Sequence, residues 1–333
     1  MEYPGVDGKT MNKISVVLAA YHGEKYIGEQ LKSLFKQTRI PDEILIGDDS
    51  SDDKTFLAVE AVRSHYTGEL KYFRNTPRLG VVQNFVHLAK AATGDFIFFC
   101  DQDDVWLPEK IEKLAAILEQ DSTCQVAVCN SFMVDKELNY YQESLLSYAE
   151  KYIFESQTAK ILFKNILYQR INFSGHNMVM KKTFKDIFLR IPPAYRFHDL
   201  WLAQTAALLN VITYNAQKLT LYRIHDKNVS VPIFQKVRSS IFHRFSEVSA
   251  ACSDDFEQTV LMLNGLSSLA SDLPEIPFDN MDILTQCSNY FHARKHLRSF
   301  PRPFRFLALT PALLRDYFQL GTGWRALLRD QLF

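Results

Sequence analysis

The sequence predicts an α/β protein built on a mostly parallel sheet, on two observations. From residue 13 to about residue 120, short apolar runs alternate with segments of helical period, and two of those runs end abruptly in carboxylates. Alternating strand and helix implies right-handed crossovers and parallel strands covered on both faces. Acids just past strand C-termini lie where open α/β sheets bind their ligands. The sharper case is Phe96-Ile97-Phe98-Phe99-Cys100 running into Asp101-Gln102-Asp103-Asp104-Val105-Trp106-Leu107-Pro108. Its bulky residues read as a buried strand. Three acids within four positions repel one another unless they share a cation. Oxygen ligation suits Mg²⁺ or Mn²⁺ better than zinc. The simpler alternative is a solvated turn whose acids complement the dipole of a helix opened by Pro108.

In chain order, Ile14–Leu18 reads as a strand, followed by Ile27, Leu31, Leu34 and Phe35 at helical spacing. Glu43–Gly47 is the second strand, running into Asp48-Asp49-Ser50-Ser51-Asp52 and an amphipathic segment with Phe56, Val59 and Val62. Leu70–Phe73 is the third strand, Phe85, Leu88, Ala89 and Ala92 mark a helix, and Phe96–Cys100 is the fourth strand. Past Pro108, Ile111, Leu114, Ala115 and Leu118 share a helical face before a strand at Val126–Cys129. Residues 135–172 hold many Tyr, Leu and Lys without a sharp period and read as a helical or loop insertion over the sheet's active edge. Asn172–Asn177 is a turn into a strand at Met178–Met180. Pro192-Pro193 breaks the chain before Phe197-His198-Asp199-Leu200-Trp201, which opens a helix through Ala206 and Leu209. The last hundred or so residues read as helical, and no internal repeat is present.

Composition narrows the function. A chain of 333 residues can bury a large core, as one domain with additions or as two. Zero formal net charge removes the global basic field that nucleic-acid binding uses. Cys100, Cys124, Cys129, Cys252 and Cys287 are odd in number and lack CxxC spacing, which excludes a disulfide framework and a zinc site. They read as reduced thiols of a cytoplasmic protein. No stretch reaches the ~20 apolar residues of a membrane span. Met1–Thr10 lacks the apolar core of a signal peptide, and Met11 is a candidate start.

Asp48 and Asp49 end a second strand, so both acidic clusters are expected to face one crevice. Alone, Asp-Asp-Ser-Ser-Asp would read equally well as a helix cap. Three segments in order now carry a resemblance: Ser15-Val16-Val17-Leu18-Ala19-Ala20-Tyr21-His22-Gly23-Glu24, Ile46-Gly47-Asp48-Asp49-Ser50-Ser51-Asp52, and Gly94-Asp95 before Cys100-Asp101-Gln102-Asp103-Asp104-Val105-Trp106. The chain resembles the family 2 glycosyltransferases of GT-A fold, with wording most similar to bacterial rhamnosyltransferases of surface-polysaccharide synthesis.

The resemblance implies a catalytic domain over residues 13–230, an N-terminal extension at 1–12 and a helical C-terminal region at 231–333. It places Tyr21 on the nucleotide base, with Ala19 and Glu24 beside it, and makes Asp49 the acceptor for the imide N–H of uracil or thymine. Arg78 falls in the segment that lines the donor pocket, where a guanidinium offsets diphosphate charge; the alternative is a surface arginine. Asp103 is expected to hold Mn²⁺ or Mg²⁺ directly, with Asp101 reaching the ribose or a metal-bound water. His225, in Tyr222-Arg223-Ile224-His225, is expected to complete the metal or phosphate site, where Val229-Ser230 replace a glycine common in relatives. Asp199 is the expected base for an inverting transfer, and His198 its neighbour; Asp104, Trp106 and Arg223 are auxiliary candidates.

The expected reaction moves L-rhamnose from dTDP-L-rhamnose to a lipid-linked or polysaccharide acceptor. Two alternatives stay open: a UDP-hexose donor, and an inactive nucleotide-sugar-binding scaffold, against which the intact Asp49, Asp101, Asp103 and Asp199 speak. A nucleotidyltransferase would want a glycine-rich, lysine-bearing loop where Ala20-Tyr21-His22-Gly23-Glu24 stands. The tail from Arg294 interleaves Lys295, Arg298, Arg302, Arg305, Arg315, Arg325 and Arg329 with aromatic residues. It reads either as a peripheral contact with anionic membrane or as a helical cap on the catalytic domain.

Overall fold

The predicted alternation is realised strand by strand. The computed structural model describes residues 11–146, 158–226 and 243–300 except 274, with the short stretches 150, 152–153, 156, 228, 301, 305–306, 308–319, 327 and 330; for 243–255 it describes backbone alone. The N-terminal extension before Met11, the boundary near residue 230, Val229-Ser230, Arg302, Arg325 and Arg329 lie outside the described residues. Strand β1 (Ile14–Ala20) leads to α1 (Ile27–Phe35), β2 (Glu43–Asp48) to α2 (Lys54–Arg63), and β3 (Glu69–Arg74) to α3 (Val81–Ala91). Then come β4 (Phe96–Asp101), the two-residue β5 (Val105–Trp106) and α4 (Lys110–Gln120). β1 pairs in parallel with β2 and β4, and β2 with β3.

Side-chain alternation splits the core into two layers. Val16, Leu18, Ile44, Ile46, Phe98 and Cys100 pack with Leu31, Leu34, Val59 and Leu114 of α1, α2 and α4. Val17, Leu45, Ile97 and Phe99 pack on the other face with Phe85 and Leu88 of α3. A sheet buried on both faces explains why these strands are near-continuous apolar runs.

The second half of the sheet departs from a simple alternation. β6 (Val126–Val134) extends beyond the expected Val126–Cys129, and β7 (Tyr140–Ser144) forms an antiparallel pair with it. Part of the expected helical or loop insertion is therefore strand. The turn between them is held by Asp135 Oδ1, which accepts from the backbone N–H groups of Glu137 and Asn139 at 2.9 Å each. Tyr140 and Tyr141 are exposed, so no apolar period marks β7. Next come α5 (Ala159–Leu167), a 3₁₀ turn (Gly175–Asn177), β8 (Met178–Lys181), α6 (His198–Leu208) and the unforeseen strand β9 (Ile212–Arg223). The sheet order is β3-β2-β1-β4-β8-β6-β9-β5, with β7 on β6. β8 is antiparallel to both β4 and β6, and β9 is parallel to β6.

The C-terminal region is helical: α7 (His243–Asp272), α8 (Phe278–Ser299) and α9 (Pro311–Gln319). Met262, Leu263, Leu266, Leu284 and Cys287 join the same core layer as α6. Asn280 Nδ2 donates to Leu208 O at 2.8 Å, capping the end of α6 from α8. Of the two readings of the tail, membrane contact or helical cap, two of its arginines fit the cap, since they point inward. Arg294 donates to both carboxylate oxygens of Asp330, at 2.5 and 2.8 Å, and Arg305 to Asp330 O at 2.7 Å. All three are buried, as a buried guanidinium requires a paired acceptor. Among the described residues, no helix is long and apolar enough to cross a membrane.

Candidate active site

Ala19 lies opposite Gly47 on one side and Asp101 on the other, so β1, β2 and β4 finish level and their end residues share one crevice. The turn after β1 is fastened to the acidic turn after β4. Tyr21 N donates to Gln102 Oε1 at 2.9 Å, and Gln102 Nε2 returns a bond to Tyr21 O at 3.1 Å. Gly23 permits this approach, since a Cβ there would stand 2.3 Å from Gln102 Oε1. Glu24 is exposed in the same turn. Asp49 is buried and anchors the loop behind it, accepting from Asn75 Nδ2 (2.9 Å), Leu79 N (3.1 Å) and Gly80 N (2.8 Å). That loop carries Arg78, whose guanidinium lies 3.8 Å over the half-exposed Tyr21 ring. Tyr21, Asp49 and Arg78, far apart in sequence, thus meet at one corner of the crevice.

The acids after β4 split into two groups. Asp103 Oδ2 lies 2.9 Å from His225 Nε2, and the His225 ring stacks on Tyr26. Asp101 and Asp104 turn instead toward His176, whose Nδ1 is 3.4 and 3.5 Å from their carboxylates. Asp101, Asp104 and His176 form the cluster of three potential ligands found among the described residues, with all three ligand atoms within 4.8 Å of one another. His176 is fully buried, stacked on Tyr222 at 5.0 Å, with its Nε2 3.2 Å from Ser131 Oγ. Burial and then the neighbouring Asp103 and Asp101 charges push Asp104 up to about 7, against the pull of His176. Burial also acts to raise Asp101, but the His176 imidazole beside it and the nearby His198 and Lys110 charges hold it below the ordinary carboxylate range.

Asp199 opens α6, and His198 beside it is packed face to face on Phe85 at 4.2 Å. Burial favours the neutral form of His198. The link from α6 to the acidic turn is Gly175, where a Cβ would lie 2.5 Å from His198 Nε2 and 3.5 Å from Asp199 Cβ. Gly175 precedes His176, so a single peptide unit joins the residue against the Asp199 helix to the residue against the Asp101–Asp104 cluster. Tyr222 feels all four acids: burial and the charges of Asp104, Asp101, Asp103 and Asp199 push its phenol well above the usual value.

Two auxiliary candidates have scaffolding roles. Trp106 is buried in the apolar layer against Phe98. Arg223 is buried too, donating to Asp103 O (2.8 Å), Lys136 O (2.7 Å) and Glu29 Oε2 (2.5 Å) while its backbone N–H donates to Asp104 Oδ1 (3.0 Å). It sets the backbone of the acidic turn. Sequence reasoning missed His176, Gln102 and the strand β9; Gly175-His176-Asn177 offered only a turn, and a lone histidine carries no spacing signal.

A divalent cation fits this chain on a structural observation. Asp104 Oδ2 and His176 Nδ1 are buried, make no hydrogen bond, and face each other across 3.5 Å. Two acceptor-bearing groups so placed call for a shared cation or proton.

This fold and crevice define a GT-A protein: a sheet whose strand ends gather acids around one corner. Residues 15–188, just over half of the 333-residue chain, match the family model described as glycosyl transferase family 2. The chain belongs to that family. It is 28% identical over 220 residues to the dTDP-rhamnosyl transferase RfbG of Shigella flexneri, covering 63% of this chain and 72% of that one. It is 29% identical over 124 residues to the putative glycosyltransferase EpsE of Bacillus subtilis, a match spanning 37% of this chain and only 45% of EpsE. The fold is shared with Staphylococcus aureus TarS 1-349 in complex with UDP-GlcNAc, at TM-score 0.57 and 22% identity over 92% of this chain and 80% of that one.

Proposed function

We propose that this protein is a metal-dependent inverting glycosyltransferase that moves a sugar from a nucleotide donor to a lipid-linked or polysaccharide acceptor of the bacterial surface. The observation that carries the reading is the convergence of the base-recognition corner (Tyr21, Asp49, Arg78), the acidic turn and Asp199 around one crevice, with Gly175 as the contact between the last two. L-Rhamnose from dTDP-L-rhamnose is the proposed donor sugar, supported by the likeness to RfbG over 63% of this chain and 72% of that one. A UDP-hexose is the second reading, favoured by the likeness to TarS, named a poly(ribitol-phosphate) β-N-acetylglucosaminyltransferase.

In this mechanism Ala19, Tyr21 and Glu24 line the base and ribose side, and one free lone pair of Asp49 accepts the base imide N–H. Arg78 offsets diphosphate charge from above Tyr21. Asp101, Asp104 and His176, or Asp103 with His225, would hold Mn²⁺ or Mg²⁺. When bound, the ion supplies positive charge where the leaving diphosphate becomes negative. Asp199 takes the proton of the acceptor hydroxyl as it attacks the anomeric carbon from the face opposite the diphosphate. His198, neutral and buried behind it, holds the start of α6 in place.

The test is Asp199→Asn assayed against dTDP-L-rhamnose, UDP-glucose and UDP-N-acetylglucosamine with Mn²⁺. Turnover is expected to drop by about a hundredfold or more with donor affinity kept. Normal turnover excludes Asp199 as the base, and collapse of donor affinity places it in the nucleotide pocket instead.

A further inference from the structure

Among the described residues, one lysine is fully buried. Lys110 begins α4, and its ammonium ends on neutral acceptors: His176 O at 2.5 Å and Thr220 Oγ1 at 2.7 Å, with the Trp106 ring 3.7 Å away. Among the described residues, no carboxylate oxygen lies within the 4.0 Å of an ion pair with it. A cation at a helix N-terminus opposes the macrodipole, and burial away from a partner charge carries a large desolvation penalty. The charge does not serve α4; Asp104 and Asp101 of the acidic turn attract it from beyond ion-pair distance.

What the ammonium grips is the Gly175–Asn177 turn, the element between the two halves of the proposed site. On one side of the turn, His176 faces Asp101 and Asp104. On the other, Gly175 abuts His198 and Asp199. Asn177 Oδ1, accepting from Ser131 Oγ at 2.8 Å, ties the far end of the turn to β6. Thr220 fixes the ammonium itself from β9. A charged donor to a peptide carbonyl is about twice as strong as a neutral one, which suits a clamp that must not drift.

We propose that Lys110 is a positioning residue which, through the His176 carbonyl, sets the spacing between the acidic turn and Asp199. The proposal rests on Asp199 being the base. Lys110→Met keeps the long apolar stem and removes the donors. In the full-length protein, at saturating Mn²⁺ and the donor that the unmodified protein turns over, it is expected to lower kcat about tenfold or more while donor KM changes by less than about threefold. In an Asp199→Asn background the same change is expected to cause no further loss of residual turnover. Electron paramagnetic resonance of Mn²⁺ alone reads the other side of the clamp, with affinity expected to fall. Lys110→Arg, which restores a charged donor, is expected to recover part of kcat. A kcat within twofold of the unmodified protein, or a full additional loss in the Asp199→Asn background, overturns the clamp. If Lys110→Met does not fold, Thr220→Val removes one of the two acceptors and is expected to lower kcat about threefold; unchanged kcat there overturns the proposal equally. An Asp199→Asn protein with full turnover refutes the base, whereas an inactive Asp199→Asn beside a fully active Lys110→Met refutes the clamp alone.

Discussion

Gly175→Ala is the most direct perturbation of the spacing between Asp199 and the acidic turn. The added methyl would lie 2.5 Å from His198 Nε2, 3.2 Å from its Cε1 and 3.5 Å from Asp199 Cβ. Ordinary contacts start near 3.4 Å, so the turn and the start of α6 must separate by about 0.9 Å. His198 cannot step aside, because its ring is sandwiched against Phe85 at 4.2 Å with Phe99 at 5.9 Å. Overpacking of this kind costs about 1–3 kcal/mol of stability. A shift of about 1 Å in a catalytic group costs about a hundredfold in rate. The expected result is a folded protein whose kcat falls by about 10- to 100-fold while donor KM stays nearly constant, since Tyr21, Asp49 and Arg78 stand on the loops after β1, β2 and β3. Steady-state kinetics at saturating donor, with a thermal melt as control, measures both. A folded variant with kcat within twofold of the unmodified protein would refute the claim that Gly175 sets this spacing.

Three other outcomes are expected. Asp103→Asn should abolish transfer and remove the metal-dependent gain in nucleoside-diphosphate binding seen by calorimetry, with the melting temperature unchanged; full activity in excess chelator would overturn the metal assignment. Glu43 is buried at the foot of the sheet, and although burial works against its charge, hydrogen bonds from Ser15, Thr93 and Lys71 lower it from 4.5 to about 2. Its contribution of about 3 kcal/mol is therefore complete above pH 4.5 and lost as pH falls toward 2, so the stability gap between the protein and Glu43→Gln should close over that window in denaturant titrations. A gap independent of pH would show that the carboxylate is not held this way. Asp330→Asn strands the buried Arg294 and should cost about 3–5 kcal/mol, read as a lower melting temperature. An unchanged melt, together with salt-sensitive cosedimentation on anionic vesicles, would return the tail to the membrane.

The sequence by itself determined the strands β1 to β4 and the helices between them, because strands buried on both faces are written as unbroken apolar runs and their ends are marked by acids. The positions of Asp49, Asp101 and Asp103 at strand ends were legible for that reason, and that of Asp199 at a helix start after a proline pair; the roles proposed for them come from the family resemblance. Which acid meets which histidine was decided by the tertiary structure. His225 reaches Asp103 across 122 residues, His176 reaches Ser131 across 45, and Lys110 reaches the His176 carbonyl across 66. β7 and β9 escaped notice because half-exposed strands beside other strands carry a weak period, and their pairing comes from β6. By charge alone Arg294 and Lys110 would be placed in solvent, and Arg223, an auxiliary candidate by resemblance, carries no local sign of burial. Only the folded chain supplies the acceptors that let each be buried, and those acceptors are peptide carbonyls and carboxylates brought from distant segments, which no local pattern encodes.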